Sequence, residues 1–321
     1  MFAAVLRGPG ESPRYEQFAE PVAGEGEAIV HVRAAALKPV DRQMASGSHY
    51  ASFRKFPVVC GLDGVGRLDD GTRVFFAGAR RPFGAMAERT VVHRARCWPV
   101  PDNVNDITAA AIVNPGMSAW LTLTQAAHLA AGETVLILGA TGTTGTLAVQ
   151  IAKLLGAGRV VAAGRNQQAL SALCKLGADA TIRLQGPGQE LTDAFAREAG
   201  VAAFDVIIDY LWGWPTEALL AALTRSDFNP GRSSRARLVQ VGESAGSTIT
   251  LPAAALRSSG LEIVGAGSGG MPPMEVLLDT YHQLMARAAA GELHIATEQA
   301  PLGGIEDAWS RQQRARLVII P

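Results

Sequence analysis

Near its middle, the 321-residue chain reads Thr134-Val-Leu-Ile-Leu-Gly139-Ala-Thr-Gly142-Thr-Thr-Gly145. The apolar run before Gly139 is typical of a parallel strand that is buried on both of its faces. Residues 146–155 then place leucine and isoleucine at helical spacing, and Gly156 follows as a residue that commonly ends a helix. A strand, a glycine-rich turn and a helix in this order predict the first half of a βαβ unit.

Strands and helices continue to alternate after this unit. The pattern predicts strands at residues 159–163, 180–184, 204–209, 237–241 and 261–264, with helices near 167–176, 190–198 and 216–223, and a surface loop at 229–235. Six strands joined by helices indicate a right-handed, doubly wound parallel sheet, so the fold class is α/β.

The two ends of the chain have a different pattern. Residues 1–112 contain short β-like runs between Gly- and Pro-rich turns, without convincing helical periodicity, which predicts a β-rich domain. Near the C-terminus the pattern predicts helices at 274–289 and about 305–313, and a strand at 316–320. A lone terminal strand needs a partner edge, so we expect this last segment to complete the N-terminal domain.

The composition excludes several classes of function. Lysine plus arginine and aspartate plus glutamate both total 29, so the chain has no net charge with which to hold nucleic acid or an anionic membrane. Its three cysteines, Cys60, Cys97 and Cys174, form no C-x-x-C pair, which argues against a disulfide framework and suits a reducing cytoplasm. No uncharged apolar stretch reaches the roughly 18 residues of a membrane helix. We therefore expect a cytoplasmic protein with a small-molecule substrate.

The glycine turn predicts a bound dinucleotide. Glycine lets the backbone approach a pyrophosphate closely, and the amides at the N-terminus of the following helix stabilise its charge. The turn continues Thr144-Gly145-Thr146 and lacks the Gly-Lys-Ser/Thr ending of a P-loop, which excludes ATP hydrolysis. The predicted pyrophosphate-binding residues are Ala140, Thr141, Gly142, Thr143, Thr144 and Gly145.

The end of the second strand of this unit indicates which dinucleotide binds. An acidic residue at this point would bond the adenosine ribose of NAD, whereas a basic residue accommodates the 2′-phosphate of NADP. The chain reads Gly164-Arg165-Asn166 there and has no Asp or Glu. Because a guanidinium group pairs well with phosphate, the sequence favours NADPH as the cofactor.

Five motifs follow one another along the chain. They are Ala35-Ala-Leu-Lys-Pro-Val-Asp41, Gly61-Leu-Asp-Gly-Val-Gly66, Gly84-Ala-Met-Ala-Glu88, Gly116-Met-Ser-Ala-Trp120 and the stretch from Gly139 to Gly156. In these motifs the chain resembles, over essentially its whole length, the zinc-independent quinone oxidoreductase branch of the medium-chain dehydrogenase/reductase superfamily.

The resemblance implies a domain organisation and an assembly. Residues 1–112 and 268–321 would form a GroES-like, β-rich catalytic domain, and residues 113–267 would form the Rossmann domain with its doubly wound parallel sheet. The family also implies a homodimer that is joined by edge strands of the two cofactor-binding sheets, here near residues 261–264.

Two departures from the zinc-dependent relatives predict that no metal is bound. Those relatives place a cysteine ligand where this chain has Lys38, and a Gly-His-Glu motif where it has Gly61-Leu62-Asp63. Lysine and leucine cannot supply the thiolate or imidazole that zinc requires. A structural zinc lobe would need four cysteines, and the chain has three.

Three residues are candidates for the chemistry: Lys38, Tyr50 and Asp63. Lys38 could face the nicotinamide and stabilise an enolate or quinol anion, or donate a proton. It could equally pair with Asp41 or Asp63 and only shape the site, and for Asp63 we favour such a supporting role. Tyr50 could offer its hydroxyl to a substrate, but a wall for a flat substrate is the simpler interpretation.

The resemblance also implies further cofactor contacts. These are Asn114 and Ser118 near the nicotinamide, Tyr210 near the adenosine or its ribose, Gly242 and Glu243 near the nicotinamide ribose, and Gly267 and Ser268 near the carboxamide.

Together these observations predict an NADPH-dependent, zinc-independent reductase of quinones or α,β-unsaturated carbonyl compounds. Without a metal, hydride donation is best supported to a carbon that is already electrophilic. One alternative is an NADPH carbonyl reductase that uses Lys38 or Tyr50 as its proton donor. Another is a protein that binds NADPH but has lost catalysis, or that binds single-stranded RNA, although the neutral charge and few aromatic residues speak against RNA.

Overall fold

The structure is a computed structural model that describes residues 1–224, 236–311 and 315–321. The chain forms two compact units, one of Met1–Asn114 with His282–Pro321 and the other of Pro115–Tyr281. The expected domain boundaries were 112/113 and 267/268. Both boundaries of the compact units fall inside helices, which are identified below.

The strands and helices are as follows. The strands are β1 (Phe2–Leu6), β2 (Arg14–Gln17), β3 (Glu27–Ala36), β4 (Val58–Val59), β5 (Asp63–Leu68), β6 (Arg73–Ala77), β7 (Arg89–His93), β8 (Cys97–Pro99), β9 (Thr134–Leu138), β10 (Arg159–Gly164), β11 (Ala180–Arg183), β12 (Val206–Asp209), β13 (Arg237–Gln240), β14 (Glu262–Gly265), β15 (Thr297–Pro301) and β16 (Arg316–Ile320). The α-helices are α1 (Pro39–Ser46), α2 (Asp106–Leu121), α3 (Thr143–Leu154), α4 (Gln167–Cys174), α5 (Gln189–Val201), α6 (Trp214–Thr224), α7 (Ala253–Ser259), α8 (Met274–Ala289) and α9 (Ile305–Ser310). The unit boundaries lie within α2 and α8.

The second unit contains the predicted doubly wound sheet. Among the described residues it has six parallel strands in the order β11-β10-β9-β12-β13-β14, with β9 in the middle. The order reverses at β9, so the carboxyl end of this strand lies at the switch point where open α/β sheets bind ligands. One face of the sheet packs its apolar side chains against α5 and α6, including Phe195 and Leu219.

The first unit is the β-rich one. Its larger sheet runs β15-β16-β3-β5-β6-β8, with β7 also paired to β3, and a smaller sheet runs β2-β1-β4. The C-terminal strand β16 is antiparallel to β3, with Val318 opposite Ala36. This pairing confirms the expectation that the last residues return to complete the N-terminal domain.

Two helices begin within residues 1–112, where the sequence shows no convincing helical periodicity. Helix α1 spans Pro39–Ser46, and α2 begins at Asp106. With eight residues, α1 is too short to show a periodic pattern, and its ends are fixed by local signals instead. Pro39 starts the helix, Asp41 accepts a hydrogen bond from the backbone N–H of Lys38, and Gly47 adopts the left-handed conformation, with a φ of 82°, at its end.

Other differences from the expected elements are smaller. Helix α7 was not predicted; its sequence, Ala-Ala-Ala-Leu-Arg-Ser-Ser, has a single large apolar side chain and shows no amphipathic pattern. The helix expected near 305–313 spans Ile305–Ser310, and residues 312–314 lie outside the described residues. The loop expected at 229–235 lies wholly outside them. Within the described ranges, every helix is too short or too polar to cross a membrane.

Candidate functional site

The glycine turn fastens the end of β9 to the start of α3. Gly139 has a φ of 85°, a left-handed conformation that side chains disfavour. Its backbone N–H donates to the carbonyl of Ala163, at the end of β10, over 2.9 Å. The N–H of Gly142 donates back to the carbonyl of Gly139 over 3.0 Å. The turn is therefore held both to the neighbouring strand and to itself.

Gly145 brings the first turn of α3 against this segment. A Cβ atom at this position would lie 2.3 Å from the carbonyl oxygen of Gly139 and 2.6 Å from the Cα atom of Ala140. Both obstacles are backbone atoms that cannot rotate away. Glycine is therefore required at position 145 for α3 to start this close to the backbone of Gly139 and Ala140.

The N-terminus of α3 has amides to offer to an anion. Its N-cap residue is Gly142, which has no side chain to accept a hydrogen bond from the first turn. The N–H groups of Thr143, Thr144 and Gly145 belong to that turn and have no intrahelical acceptor. With the positive end of the helix dipole beside them, these amides fit the diphosphate of a dinucleotide.

The end of β10 adjoins the turn. A Cβ atom on Gly164 would lie 2.5 Å from the methyl carbon of Thr141, so the threonine side chain covers the glycine backbone. Arg165 follows with an exposed side chain. Asn166 is the N-cap of α4, and its Oδ1 accepts the backbone N–H of Ala169 over 3.1 Å. The structure therefore gives Asn166 a structural task and leaves Arg165 facing solvent.

The end of β12 carries a carboxylate that the sequence analysis did not single out. Asp209 is buried, and its Oδ1 accepts the backbone N–H groups of Leu211 and Trp212 over 2.8 and 2.9 Å. Its Oδ2 accepts the hydroxyl of Thr216 over 2.5 Å. Burial raises the pKa of Asp209, while these donors lower it. Asp209 thereby shapes the loop that starts at Tyr210, and an acidic residue at the end of a predicted buried strand was the available signal.

Tyr210 itself has a buried hydroxyl. Among the described residues, this hydroxyl has no hydrogen-bond partner, and burial raises its pKa. The tyrosine backbone packs against Gly242, where a Cβ atom would lie 2.7 Å from the carbonyl oxygen of Tyr210. The structure thus brings together two predicted cofactor residues, and contact of Tyr210 with the adenosine or its ribose stays a prediction.

The remaining predicted cofactor residues lie on separate elements. Asn114 is exposed and Ser118 is half-buried, one turn apart on α2. Glu243 is exposed in the segment after β13. Gly267 is exposed and precedes the short 3₁₀ turn of Ser268–Gly270. Their contacts with a cofactor stay predictions.

The first unit contains a buried charge cluster, formed by Lys38, Asp41, Asp63 and Arg316. The Lys38 ammonium group donates to Oδ1 of Asp63 over 2.9 Å and to the carbonyl of Ala36 over 3.1 Å. It also lies 3.6 Å from Oδ2 of Asp41. The structure therefore shows Lys38 engaged with both of the carboxylates that the sequence analysis named as alternative partners.

The charges in this cluster depend on one another. Burial by itself would lower the pKa of Lys38, but Asp41 and Asp63 outweigh it and the pKa is raised. Burial raises the pKa of Asp41, opposed by the positive charge of Lys38 and reinforced by the negative charge of Asp63. Lys38 is consequently held in its protonated form at neutral pH.

Arg316 is the member of the cluster that sequence reasoning missed. It lies on β16, and its Nη1 donates to the carbonyl of Leu37 over 3.0 Å. Burial lowers its pKa, while Asp41 and Asp63 raise it. Its Nε and Oδ1 of Asp41 are buried without a partner among the described residues. No local pattern links position 316 to Lys38; the signal was only the basic residue that begins a predicted buried strand.

Tyr50 lies in the loop after α1. Its side chain is 73% exposed, and its ring lies against that of His49 with 4.0 Å between the centroids. Phe53 lies further along the same loop, and the Cζ atom of Arg81 lies over its ring, 4.1 Å from the ring centroid. The loop thus presents aromatic surface, which fits the predicted wall for a flat substrate.

Comparison with known proteins identifies the family. Residues 143–286 match the family model described as zinc-binding dehydrogenase. A probable NADPH-dependent quinone reductase of Emericella nidulans is 25% identical, with 96% of each chain covered. A trans-enoyl reductase of Aspergillus terreus is 30% identical over 68% of this chain and 62% of its own. The quinone oxidoreductase structure from Thermus thermophilus has a TM-score of 0.81 at 24% identity, with both chains fully covered.

The chain belongs to the quinone oxidoreductase-like branch of the medium-chain dehydrogenase/reductase superfamily. The mixed α/β architecture, with a parallel Rossmann-like sheet and an antiparallel β-rich unit, confirms the expected fold class.

The family model's name implies zinc, and the described residues do not fit that metal. Among them, no group of three or more His, Cys, Asp or Glu side chains is placed to hold an ion. The buried charge cluster already contains two cations, Lys38 and Arg316, which would repel a third. Burial raises the pKa of the Cys60 thiol, so this nearby sulfur stays protonated and is a poor ligand. The matched segment itself covers mainly the nucleotide-binding unit.

Proposed function

We propose that the chain reduces quinones or α,β-unsaturated carbonyl compounds with NADPH and without zinc. It is an NADPH-dependent oxidoreductase of its family. The observation that carries the proposal is the glycine turn. The close contact of Gly145 with the backbone of Gly139 places three amides of α3 at the end of β9. The neighbouring strand β10 is followed by Arg165 and by no acidic side chain. When bound, NADPH supplies the hydride.

The residues of the second unit bind and orient the cofactor in this proposal. The amides of Thr143, Thr144 and Gly145 hold the diphosphate. Arg165 pairs with the 2′-phosphate and thereby distinguishes NADPH from NADH. Holding the reactive carbon of the cofactor near the acceptor in a fixed orientation then contributes to the acceleration.

The proposed acceptor is one that needs no activation by a metal. The described residues include no group of three or more His, Cys, Asp or Glu side chains placed to hold an ion, which favours an acceptor carbon that is already electrophilic, as in a quinone or an enone. Proteins similar to this chain are named for both kinds of acceptor: the Emericella protein is named a quinone reductase and the Aspergillus protein a trans-enoyl reductase. The aromatic loop around Tyr50 suits a flat molecule of either kind.

Lys38 and Asp63 enter the proposal as a pair that supports the fold of the site. The ammonium group is buried and bound to Asp63 and to the Ala36 carbonyl, and its raised pKa makes it a weak proton donor at neutral pH. We therefore assign it a positioning role at the start of α1.

Two further parts of the proposal concern assembly and location. Strand β14 is an edge of the cofactor-binding sheet, with Val264 37% exposed, so a second copy can pair with it to form a homodimer. Sedimentation equilibrium should give twice the chain mass, and a charged residue in place of Val264 should shift it to the monomer mass.

The three cysteines are free thiols, which suits a reducing cytoplasm.

A panel of acceptors tests the reaction. Purified protein is mixed with NADPH or NADH and a quinone, an enone, an enoyl thioester or a saturated ketone, and nucleotide oxidation is followed by absorbance. We expect turnover with the first three types of acceptor and little with the ketone. Efficient reduction of the ketone, or no oxidation with any acceptor, would contradict the proposal.

The Arg165→Ala variant tests the cofactor assignment. Loss of one charge-assisted pair is worth about 1.5–3 kcal/mol, so the KM for NADPH should rise by about tenfold or more while the KM for NADH stays unchanged. Equal changes for both nucleotides would refute contact of Arg165 with the 2′-phosphate.

A further inference from the structure

Arg183, the last residue of β11, lies beside the end of β10. The parallel register places it directly opposite Gly164, the residue before Arg165. The N–H of Leu184 donates to the carbonyl of Gly164 over 2.9 Å and extends this pairing. Adjacent strands in a sheet lie roughly 4.8 Å apart, so Arg183 is within side-chain reach of any group that Arg165 binds.

Arg183 also lies on the same face of the sheet as the glycine turn. Ile182 and Ala163 are paired across the strands and are both buried on the face covered by α5 and α6. Because side chains alternate along a strand, Gly164 and Arg183 point to the opposite face. On that face the missing side chain of Gly164 is replaced by the side chain of Thr141. The turn, the glycine and Arg183 therefore form a row across three strand ends.

The arginines at the two ends of the sheet differ in whether they form ion pairs. At the amino ends, Arg159 pairs with Glu198 and Arg237 pairs with Glu133. At the carboxyl ends, Arg165 and Arg183 are both exposed, and neither has an ion-pair partner within the part of the chain that the structure describes. Glu190 and Glu198 line the cavity beside β11 together with Arg183, but neither forms an ion pair with it. Two neighbouring guanidinium groups repel each other, and an anion bound between them would remove that repulsion.

We propose that Arg183 and Arg165 together hold the 2′-phosphate of NADPH, with Arg183 as the second specificity-determining residue. The inference rests on the proposed function and adds a residue from a different strand to it. A phosphate dianion offers three acceptor oxygens, and each planar guanidinium group can bond two of them. With the diphosphate at the glycine turn, the adenosine part of the cofactor would extend past Gly164 toward Arg165 and Arg183.

The test compares nucleotide affinities rather than turnover. Dissociation constants for NADPH and NADH are measured by titration calorimetry for the wild-type protein and for the Arg183→Gln, Arg165→Gln and double variants. Arg197→Gln is the matched control, because Arg197 is an exposed arginine on α5, the helix that covers the other face of the sheet. Since β11 is the edge strand, Arg183 and Arg197 both border the 630 Å³ cavity along its open edge. It removes the same charge from the other side of that cavity.

We expect Arg183→Gln to weaken NADPH binding by about tenfold and to leave NADH binding unchanged, whereas Arg197→Gln changes neither. The double variant should bind the two nucleotides with similar affinity, and added salt should weaken NADPH binding more in the wild type than in the double variant.

Three results would overturn the inference. If Arg183→Gln behaves like Arg197→Gln while Arg165→Gln loses NADPH affinity, Arg165 acts alone and the proposed function stands. If the wild type binds NADPH and NADH equally, neither arginine contacts a 2′-phosphate. If it binds neither nucleotide, the proposed function fails together with the inference.

Discussion

The buried charge cluster and the two arginines at the end of the cofactor sheet make opposite uses of charge. In the cluster, Lys38 and Arg316 face Asp41 and Asp63 away from water, and the chain itself provides their bonds. Arg165 and Arg183 are exposed, and neither forms an ion pair within the described chain. Charges that the protein satisfies internally serve its stability, whereas charges that it leaves open are the ones available to a ligand.

The same contrast applies to the backbone. The segment around Lys38 uses its amides internally, since the Lys38 N–H donates to Asp41 and caps α1. At Gly142, the N-cap of α3 has no side chain, so the first turn of that helix keeps its amides free for an anion. One helix start is closed by its own residues and the other is open.

Closing the open helix start should have the largest effect. In Gly145→Val, the new side chain would meet the backbone of Gly139 and Ala140 and displace the turn. Because a hydrogen bond to a charged group contributes about 1.5–3 kcal/mol, loss of two of these amides from the diphosphate should lower NADPH affinity by about a hundredfold or more. Titration calorimetry measures it. Gly200→Ala is the control, since that glycine lies in α5 with open space around it, and binding should stay unchanged. Tight NADPH binding by Gly145→Val would show that the turn does not hold the cofactor.

Removing one charge from the buried cluster should have the next largest effect. Lys38→Met leaves Asp41 and Asp63 buried without their ammonium partner, so the free energy of unfolding should fall by about 3–5 kcal/mol. Urea unfolding measures this change. The control Lys175→Met removes an exposed lysine and should stay within about 0.5 kcal/mol of the wild type. A loss below about 1 kcal/mol, combined with a strongly reduced kcat, would instead favour the catalytic role for Lys38.

The pH dependence of stability sharpens the same point with a smaller effect. The pKa of Lys38 is raised in the folded protein, so above its ordinary value of about 10.4 the unfolded chain loses this proton before the folded chain does. The contribution of Lys38 to the free energy of unfolding is therefore complete below that pH and decreases as pH rises through the folded pKa. Urea unfolding between about pH 9 and 11.5 should show a steeper decline in the wild type than in Lys38→Met. Parallel curves would contradict the raised pKa.

Tyr210 offers the smallest expected change. Its hydroxyl is buried without a partner among the described residues, so Tyr210→Phe should raise the free energy of unfolding by about 1 kcal/mol. NADPH affinity should not change if only the ring contacts the cofactor. If the variant is less stable and binds NADPH more weakly, the hydroxyl bonds the cofactor in the complex. Tyr210 would then join the groups that the protein leaves available to a ligand.

Sequence patterns predicted the second unit well because its structure is local. The continuous apolar run of β9, the glycines at 139, 142 and 145, and the helical spacing of apolar residues in α3 all express their structure within a few residues. The strand order follows from right-handed crossovers, which constrain the topology of alternating strands and helices. The arginine after β10 could be named as a phosphate ligand for the same reason.

The rest required contacts between distant residues. Arg183 became a candidate only when the register placed it opposite Gly164, 19 positions away. Arg316 joins Leu37 across 279 positions, so the cluster could not be completed from either end alone. Helix α1 was missed for a different reason: capping residues define it, and eight residues are too few for a period of 3.6 to be evident.

The position of β16 between β3 and β15 has a consequence for how the protein is made. The second unit is one continuous stretch, Pro115–Tyr281, so it can finish folding while the ribosome is still translating the remainder. The larger sheet of the first unit must wait for residues 316–320 to emerge, because these residues fill its interior. The half of the protein that is synthesised first is thus the half that is completed last, and until then the edge of β3 stays open to pairing with other newly made chains.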